Sequence, residues 1–547
     1  MNAAQAEPLF AEFPPVSTAE WERAIAKDLK GKDPKALVWK TEDGFAVKPF
    51  YRLEDSPGLP ALRDFPTGWK ICAEVTDFDT AMEVVARGAQ AIQYWPENED
   101  ALEALLARLP LTKVEVHIRA GGQAASLLRV IRHFAGRLHG SLNCGPVREA
   151  VNIAPDFLPF VINAGRFEEI EATATQELAL ALAQGSEYLA ELGLVAGQMA
   201  FSFPIGSNYF FEIAKLRAAR LLWPRVVKAY DAHTRPTTRI FAQTSEWNKT
   251  VYDPYVNMLR GTTEAMSAII GGAELVTVTP FSSAFAAPDT FARRMGVNTQ
   301  LILREEAHFD ELSDPASGCW YVEALTDTMA REAWKLFQQM EAAGGYSQAI
   351  GSGLVDRLVK PAREARRTAI AQRRRQFTGV NVHANPSERV LDNITAPSTH
   401  ARGASEFEAM RLRTERYEKA TGRTPKVFLL LFGDAKMRRA RAEFATEFFQ
   451  CAGFGMVKPP AFATVEAALA SEESEKPDFV VLCSSDAEYP GLAVEVCPRL
   501  AQPVIVAGYP KDALGQLKQA GVAEFVHVRG NALETLTALQ RKLGIGD

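Results

Sequence analysis

The amino-acid sequence predicts an α/β protein with a TIM-type (β/α)8 barrel followed by a flavodoxin-like, Rossmann-like domain of parallel strands. Eight short apolar runs alternate with helical segments, a polar stretch with several prolines follows, and four more apolar runs alternate with helices near the C-terminus. The 547 residues are too many for one ordinary core, which favours two or three domains. A large doubly wound sheet would give the same alternation as the first series, so it stays an alternative to the barrel.

Residues 1–60 are predicted to form an N-terminal arm with one helix and one hairpin. Ser17 and Glu20 have the spacing of a capping box, which predicts that a helix begins there. Residues 37–50 are two apolar runs around a Gly-containing turn, a pattern typical of a hairpin. The arm is too small to bury its own apolar face. We therefore expect it to pack on the main domain or on another chain.

Residues 61–380 are assigned to the barrel. Its predicted strands cover residues 69–75, 91–95, 113–118, 140–144, 160–164, 199–203, 239–244 and 274–279. The connections in the first half are short, so we expect no large substrate-covering loops there. Residues 321–375 are helical and charged and lead into the basic run REARRTAIAQRRRQF. A solvated helix face and a partner contact are the two interpretations of that run.

Residues 381–424 are predicted to be an interdomain linker, because they combine Pro386 and Pro397 with a polar helix. Residues 425–547 are assigned to the flavodoxin-like domain. Its predicted strands cover residues 427–432, 478–484, 503–508 and 524–528. Helical segments separate these strands, which is typical of an open parallel sheet.

Composition and charge narrow the class of protein. A net charge of -6 and a pI near 5.9 give no electrostatic case for nucleic-acid binding. The sequence has no apolar run long enough to span a membrane and no signal-peptide pattern at its N-terminus. Six scattered cysteines without a CxxC pair argue against a disulfide framework and against a zinc site. These features predict a cytoplasmic protein.

Several long stretches resemble the acyl-CoA mutases that use adenosylcobalamin, specifically the methylmalonyl-CoA mutase family. The arm resembles theirs through FPPVSTAEWERAIAKDLKG, and the barrel through PIGSNYFFEIAKLRAARLLW and AQTSEWNKTVYDPYVNMLRGTTEAM. The resemblance covers nearly the whole chain. It implies a barrel that holds a CoA ester and a C-terminal domain that binds cobalamin. It also implies a carbon-skeleton rearrangement that cobalt–carbon homolysis starts.

The resemblance also implies where the cobalamin-binding groups should lie, and this chain lacks them. The cobalt-ligand His of the family's Asp-x-His-x-x-Gly loop falls on Arg438, and the Asp that orients it falls on Lys436. A guanidinium has no lone pair to offer a metal. The remnant of the family's pocket for the nucleotide tail is Ser484 and Gly508, with Asp486 in an apolar position of that pocket.

The barrel shows corresponding losses when the family's pattern is carried over. The acid-donating His falls on Phe241, which cannot hydrogen-bond a thioester carbonyl. The carboxylate-binding Arg falls near Gln198, and the radical-site Tyr near Val75. Gln243 and Ser245 are retained, either in a structural role or as a remnant of a substrate site.

The family includes heterodimers of a large catalytic chain and a smaller degenerate homologue, and this chain resembles the smaller one. The resemblance implies a non-catalytic subunit that binds no metal or cofactor. Adenosylcobalamin and the succinyl-CoA/methylmalonyl-CoA isomerisation would then belong to the large partner. The alternative is a divergent acyl-CoA mutase-like enzyme that binds cobalamin without a protein His. Its candidate groups are Asn163, Gln243, Ser245, Glu246 and Asn248.

A third interpretation is a binding module for a chaperone that reloads cobalamin. Such G-protein chaperones carry their own phosphate-binding loop, GxxxxGK[ST]. This sequence has no such motif, so the chain could only be the client of that chaperone.

Overall fold

The arm folds as a capped helix and a hairpin, as predicted. The computed structural model describes residues 12–13, 16–62, 65–193 and 195–546. Helix α1 (Thr18–Asp28) begins with a capping box, in which the Glu20 carboxylate accepts from the Ser17 N–H at 2.9 Å. Strands β1 (Trp39–Lys40) and β2 (Ala46–Val47) pair antiparallel.

The arm hairpin packs on the main domain, one of its two expected locations. The rings of Trp39 and Phe45 lie 5.2 and 5.6 Å from the ring of Phe211. At the hairpin tip, the Glu42 carboxylate accepts from Arg366 at 2.9 Å and from Arg375 at 2.6 Å. Helix α1, in contrast, has no buried residue. The hairpin therefore anchors the arm, while the helix stays at the surface.

The main domain is a closed barrel of parallel strands, which confirms the predicted (β/α)8 architecture. Its strands are β3 (Lys70–Val75), β4 (Ala91–Tyr94), β5 (Glu115–Ile118), β6 (Gly140–Leu142), β7 (Phe157–Leu158), β8 (Phe160–Asn163), β9 (Met199–Ile205), β10 (Ile240–Thr244) and β11 (Leu275–Thr277). The order around the sheet is β7-β6-β5-β4-β3-β11-β10-β9-β8. Pro159 lies between β7 and β8, so these two short strands together occupy one interrupted strand position of the barrel, between β6 and β9.

Helices surround the barrel and continue after it. They are α2 (Phe78–Ala86), α3 (Glu99–Arg108), α4 (Ala124–Phe134), α5 (Gly165–Glu169), α6 (Ala174–Leu192), α7 (Tyr209–Tyr230), α8 (Val256–Ile270), α9 (Thr290–Leu301), α10 (Trp320–Ala342), α11 (Tyr346–Gly351) and α12 (Leu354–Ala371). Within the described ranges, no helix is long and apolar enough to span a membrane.

Side chains that point inward fill the barrel in layers. The middle layer contains a buried apolar cluster of Cys72, Ala91, Val161, Ala200, Phe241 and Leu275. The His117 ring lies 5.1 Å from the ring of Phe241 and belongs to the same layer. Its Nδ1 atom is 2.8 Å from the Ser141 hydroxyl. This layer divides the interior of the barrel into an upper and a lower part.

The basic run after the barrel contacts three parts of the chain. Arg366 and Arg375 hold Glu42 of the arm, and Arg367 pairs with Glu171 of the barrel at 2.5 Å. Arg373 lies 3.5 Å from Glu447 in the C-terminal domain. The segment therefore makes contacts within the chain, which neither interpretation of the sequence foresaw.

The predicted linker is packed rather than extended. Its helix α13 (Ser405–Thr421) buries the polar residues Glu408, Arg411 and Glu415. The Glu415 carboxylate accepts from the Tyr252 hydroxyl at 2.7 Å, and the Arg411 guanidinium lies 3.9 Å from the Tyr252 ring centre. These contacts attach the helix to the barrel through buried polar groups.

The C-terminal domain is a parallel sheet with the flavodoxin-like strand order β13-β12-β14-β15-β16. Its strands are β12 (Lys426–Leu431), β13 (Gly455–Val457), β14 (Phe479–Cys483), β15 (Val504–Ala507) and β16 (Val522–Val526). Its helices are α14 (Ala435–Gln450), α15 (Val465–Glu475), α16 (Tyr489–Val496), α17 (Leu514–Gln519) and α18 (Ala532–Lys542). Strand β13 was not predicted, because three half-buried residues give no apolar run.

Candidate functional site

Two cavities lie at opposite ends of the barrel. The upper cavity, about 360 Å³, lies at the carboxyl ends of the strands, where barrels of this type place their ligand sites. The lower cavity, about 480 Å³, lies at the amino ends. The two share no lining residue, and the middle layer with Phe241 lies between them. The upper cavity is therefore the candidate functional site.

A chain of hydrogen-bonded polar side chains crosses the floor of the upper cavity. Gln243 donates to the Glu74 carboxyl at 2.6 Å and accepts from Gln93 at 3.2 Å. Arg119 donates from Nη2 to Gln93 at 3.2 Å and to the Ser202 hydroxyl at 3.0 Å. Apart from Ser202, which lies in the middle of β9, each residue lies at or next to the carboxyl end of a different strand, so the parallel barrel brings them together.

Two carboxyl groups of this cavity have raised pKa values. Burial, with a further contribution from the Glu246 carboxylate, raises the pKa of Glu74 to about 8, although Arg119 opposes the shift. Burial raises the pKa of Glu168 to about 7, against a hydrogen bond from the Ser245 hydroxyl. Near neutral pH, Glu74 is therefore mostly uncharged and Glu168 is partly uncharged.

A buried ion network supports the rim beside α7. The Lys215 ammonium lies 2.7 Å from Glu177 and 2.6 Å from Glu212, and it donates to the Pro204 carbonyl at 2.7 Å. These carboxylates raise the pKa of Lys215, so the lysine stays charged in spite of its burial. The network fixes the end of β9, which carries Pro204.

The structure places the predicted barrel positions at three different levels. Phe241 is 9% exposed in the middle layer and borders the lower cavity. Gln198 lines the lower cavity, where it accepts from the Asn152 N–H at 2.6 Å. Val75 is buried in the core outside the two cavities. None of these three positions lies on the wall of the upper cavity.

The candidate polar residues of the upper site are only partly brought together. Asn163, Gln243, Ser245 and Glu246 line the upper cavity. Asn248 lies behind that wall, where it donates to the buried Glu264 carboxyl at 2.5 Å. Four of the five candidates therefore share one cavity, and the fifth belongs to its support.

The carboxyl edge of the C-terminal sheet is closed by one side chain. The Glu488 carboxylate accepts from the Ser484 and Ser485 hydroxyls at 2.6 Å and from the Ser485 N–H at 3.1 Å. These hydrogen bonds lower the pKa of Glu488 to about 2. A Cβ atom added at Gly433 would meet this carboxylate at 2.2 Å. Strands β12 and β14 are the switch point of the sheet, so Glu488 occupies the crevice where such folds bind ligands.

The sequence interpretation missed Arg119, Glu74 and Glu488. A usable signal existed for two of them, because Arg119 follows a predicted strand directly and Glu74 interrupts an apolar run. Ser485 and Glu488 have capping-box spacing, which indicates a helix start but not the bond to Ser484. Within the described residues, no group of three or more His, Cys, Asp or Glu side chains could hold a metal ion.

Comparison with known proteins shows the family. The family model described as methylmalonyl-CoA mutase matches residues 147–425. The methylmalonyl-CoA mutase small subunit of Porphyromonas gingivalis is 37% identical, over 99% of this chain and 100% of that protein. The chain belongs to the methylmalonyl-CoA mutase family.

Other members of the methylmalonyl-CoA mutase family are similar over different shares of their length. The small subunit of Streptomyces virginiae is 32% identical over 98% of each chain. The methylmalonyl-CoA mutase of Rhizobium meliloti is 29% identical over 70% of this chain and 66% of that protein. The resemblance inferred from the sequence is therefore confirmed.

The residues at the sheet edge do not fit the cobalamin of the methylmalonyl-CoA mutase family. Arg438, at the predicted cobalt-ligand position, donates to the Gly433 carbonyl at 2.5 Å and stays cationic. Lys436 is exposed and adds a second positive charge to the same turn.

The tail pocket at this edge is also filled. A Cβ atom on Gly508 would meet Tyr489, Arg441 and Asp486 within 3.2 to 3.4 Å. Arg441 pairs with Asp486 at 2.9 Å across this space. Ser484 is fully buried and bonded to Glu488. Ser484 and Gly508, the two positions predicted to be remnants of the tail pocket, are thus covered by the chain's own side chains.

Proposed function

We propose that this chain is the non-catalytic small subunit of a heterodimeric methylmalonyl-CoA mutase. A large homologous chain would bind adenosylcobalamin and isomerise succinyl-CoA and methylmalonyl-CoA. The observation that carries the proposal is the similarity over almost the whole length to proteins named as small subunits. We further propose that the heterodimer is cytoplasmic.

Side chains at both sheets support the proposal that this chain has no active site of its own. Phe241 offers no proton or hydrogen bond at the acid position of the family. Arg438 offers no lone pair to cobalt, and Glu488 fills the crevice beside it. Both the acid step and the cofactor contact would therefore fall to the partner.

The arm supports a structural role in the heterodimer. Helix α1 buries none of its residues, and Trp21 is 48% exposed. Leu37 and Leu53 are also exposed, so the arm presents apolar surface beyond its anchored hairpin. We propose that the large subunit covers this surface.

The test is to express this chain with a large homologue that retains Asp-x-His-x-x-Gly. Under the proposal the two chains co-purify, corrin absorbance follows the large chain, and arm truncation before residue 37 weakens the complex. Recovery of this chain only as a monomer or homodimer would refute the subunit assignment.

A titration of the isolated chain tests the divergent-enzyme alternative. Adenosylcobalamin is added to the folded chain, free cofactor is removed, and the corrin bands are read. The proposal expects no retained corrin. Stoichiometric retention would mean that the edge near Arg438 binds the cofactor without a protein His, and would favour the alternative.

A further inference from the structure

Arg119 is a cation without a counter-ion on the floor of the upper cavity. Its Nη2 group donates to two neutral acceptors, Gln93 and Ser202. Among the residues that the structure describes, no carboxylate lies at ion-pair distance from it, and Nε and Nη1 have no protein acceptor. Arginines that are buried elsewhere in the structure and paired with carboxylates show the contrast. Arg217, for example, contacts Asp314 and Glu323.

A half-buried guanidinium without an ion-paired anion is costly, because burial disfavours the charge and the Glu74 carboxyl, beyond ion-pair distance, offsets this only in part. Burial lowers the pKa of Arg119, although a guanidinium stays protonated at neutral pH. The nearest acid, Glu74, is directed to Gln243 at 2.6 Å instead of to Arg119. The free donors of Arg119 therefore point to an acceptor that the chain itself does not supply.

The other acids of the cavity do not cancel this charge. Glu168 is bonded to the Ser245 hydroxyl and is partly protonated near neutral pH. Glu169 and Glu246 lie at the mouth, each 3.8 Å from a ring nitrogen of His400. With Glu74 mostly uncharged, the floor carries the positive charge of Arg119 and the rim carries the negative charges.

We propose that the upper cavity binds a small free carboxylic acid, whose carboxylate pairs with Arg119 between Gln93 and Ser202. The amide groups of Gln243 and Asn163 face the same space and suit a ligand with further oxygen atoms. A volume of about 360 Å³, closed below by the Phe241 layer, admits a short acid. This site is independent of the subunit role and requires no catalysis by this chain.

The chemistry of recognition is a charge-assisted hydrogen-bonded pair. Such pairs are roughly twice as strong as neutral hydrogen bonds, and a dry pocket strengthens them further. A neutral amide of the same shape would offer only a carbonyl to Arg119. Discrimination between acid and amide is therefore the signature of the proposed site.

The experiment is calorimetric titration of the full chain with acetate, malonate and succinate, with succinamide as the uncharged comparison. Three variants are titrated beside the wild type. Arg119→Met removes the cation, Arg119→Lys keeps a charge at the site, and Arg166→Met removes an exposed cation that borders the same cavity. Circular dichroism first establishes that each variant is folded.

The expected result is saturable binding of at least one acid and none of succinamide. Arg119→Met should weaken that binding by about 10- to 100-fold, the loss expected for a charged hydrogen-bonded pair. Arg119→Lys should recover part of it, and Arg166→Met should change it by less than about threefold.

Two results would overturn the proposal. One is wild-type chain that binds none of the three acids at millimolar concentration. The other is binding that Arg119→Met leaves unchanged, which would place the acid elsewhere. If Arg119→Met does not fold, Arg119→Lys decides the question, because its point charge cannot reproduce the planar donor pattern and must at least alter the affinity.

Discussion

The two parallel sheets of this chain end in carboxyl edges of opposite character. At the barrel edge, polar side chains line an upper cavity of about 360 Å³, and Arg119 keeps donors without a partner. At the edge of the C-terminal sheet, Glu488 satisfies the hydroxyls that line the crevice, and Arg441 pairs with Asp486 beside it. One edge therefore keeps room for a ligand, and the other is filled by its own side chains.

This difference teaches that the carboxyl edges of two parallel sheets in one chain can satisfy their polar groups in different ways. An edge that loses its ligand must still satisfy its buried polar groups, because unpaired ones are costly. The C-terminal sheet satisfies them internally through Glu488. The barrel satisfies most of them in the floor network but leaves Arg119 open.

The buried ion network around Lys215, which supports the barrel edge, predicts the largest effect on stability. Lys215→Met should lower the free energy of unfolding by about 3–5 kcal/mol, because it leaves Glu177 and Glu212 as uncompensated buried charges. Denaturant unfolding followed by circular dichroism measures the change. Lys228→Met, in the exposed last turn of the same helix, is the control and should stay close to wild type. Equal stability of Lys215→Met would show that the network does not hold the rim.

The apolar middle layer of the barrel, which contains Phe241, predicts the next largest effect on stability. Phe241→Ala should cost about 3 kcal/mol and open a passage between the upper and lower cavities, because it removes the ring from the layer that separates them. Phe241→Leu keeps most of that volume and should cost about 1 kcal/mol. Unfolding midpoints of the two variants measure the difference. Two variants of equal stability would contradict the separating role of the ring.

The filled crevice predicts a smaller and pH-dependent effect. Glu488→Gln should lower the free energy of unfolding near neutral pH, because a neutral amide replaces the hydrogen-bonded carboxylate. The expected loss is only about 1 kcal/mol, because the site is partly exposed to water. The folded pKa of about 2 lies below the ordinary value of 4.5. The contribution is therefore present above about pH 4.5 and is lost as the pH falls toward 2. Unfolding of both proteins at several pH values should show the difference shrinking in acid, and a constant difference would argue against the carboxylate as its source.

The acid on the cavity floor, Glu74, predicts an effect with the opposite pH dependence. The folded pKa of Glu74, about 8, lies above the ordinary value of 4.5. Its contribution to stability is therefore full below about pH 4.5 and is lost as the pH rises through 8. Glu74→Gln imitates the protonated form and should become progressively more stable than wild type as the pH rises from about 4.5 to 8, with a constant difference above that. Parallel stability curves for the two proteins would show that Glu74 is already ionised at neutral pH.

Sequence pattern predicted the elements of both sheets better than their edges. Eight of the nine barrel strands overlap the predicted runs, because buried parallel strands are continuous apolar segments. Strand β7 was not predicted because it ends at Pro159 after only two residues. Strand β13 was not predicted because it is short. The polar helix of the predicted linker gave no sign in the sequence that ion pairs and hydrogen bonds would bury Glu408, Arg411 and Glu415.

The site was predictable only where a motif marks it. Gln243 and Ser245 lie on the upper cavity wall as the retained family motif indicated. Arg119 and Gln243 are far apart in the sequence, and their shared contact with Gln93 depends on the closure of the barrel. Glu488 reaches the turn after β12 from more than fifty positions away, a pairing that local spacing cannot reveal.

The basic segment that follows α12 joins parts of the molecule that are distant in the chain. Arg375 holds the arm through Glu42, and Arg373 contacts Glu447 of the C-terminal domain two residues earlier. The arm and the C-terminal domain are therefore both anchored within three consecutive residues, and loss of this segment would remove contacts to both at once.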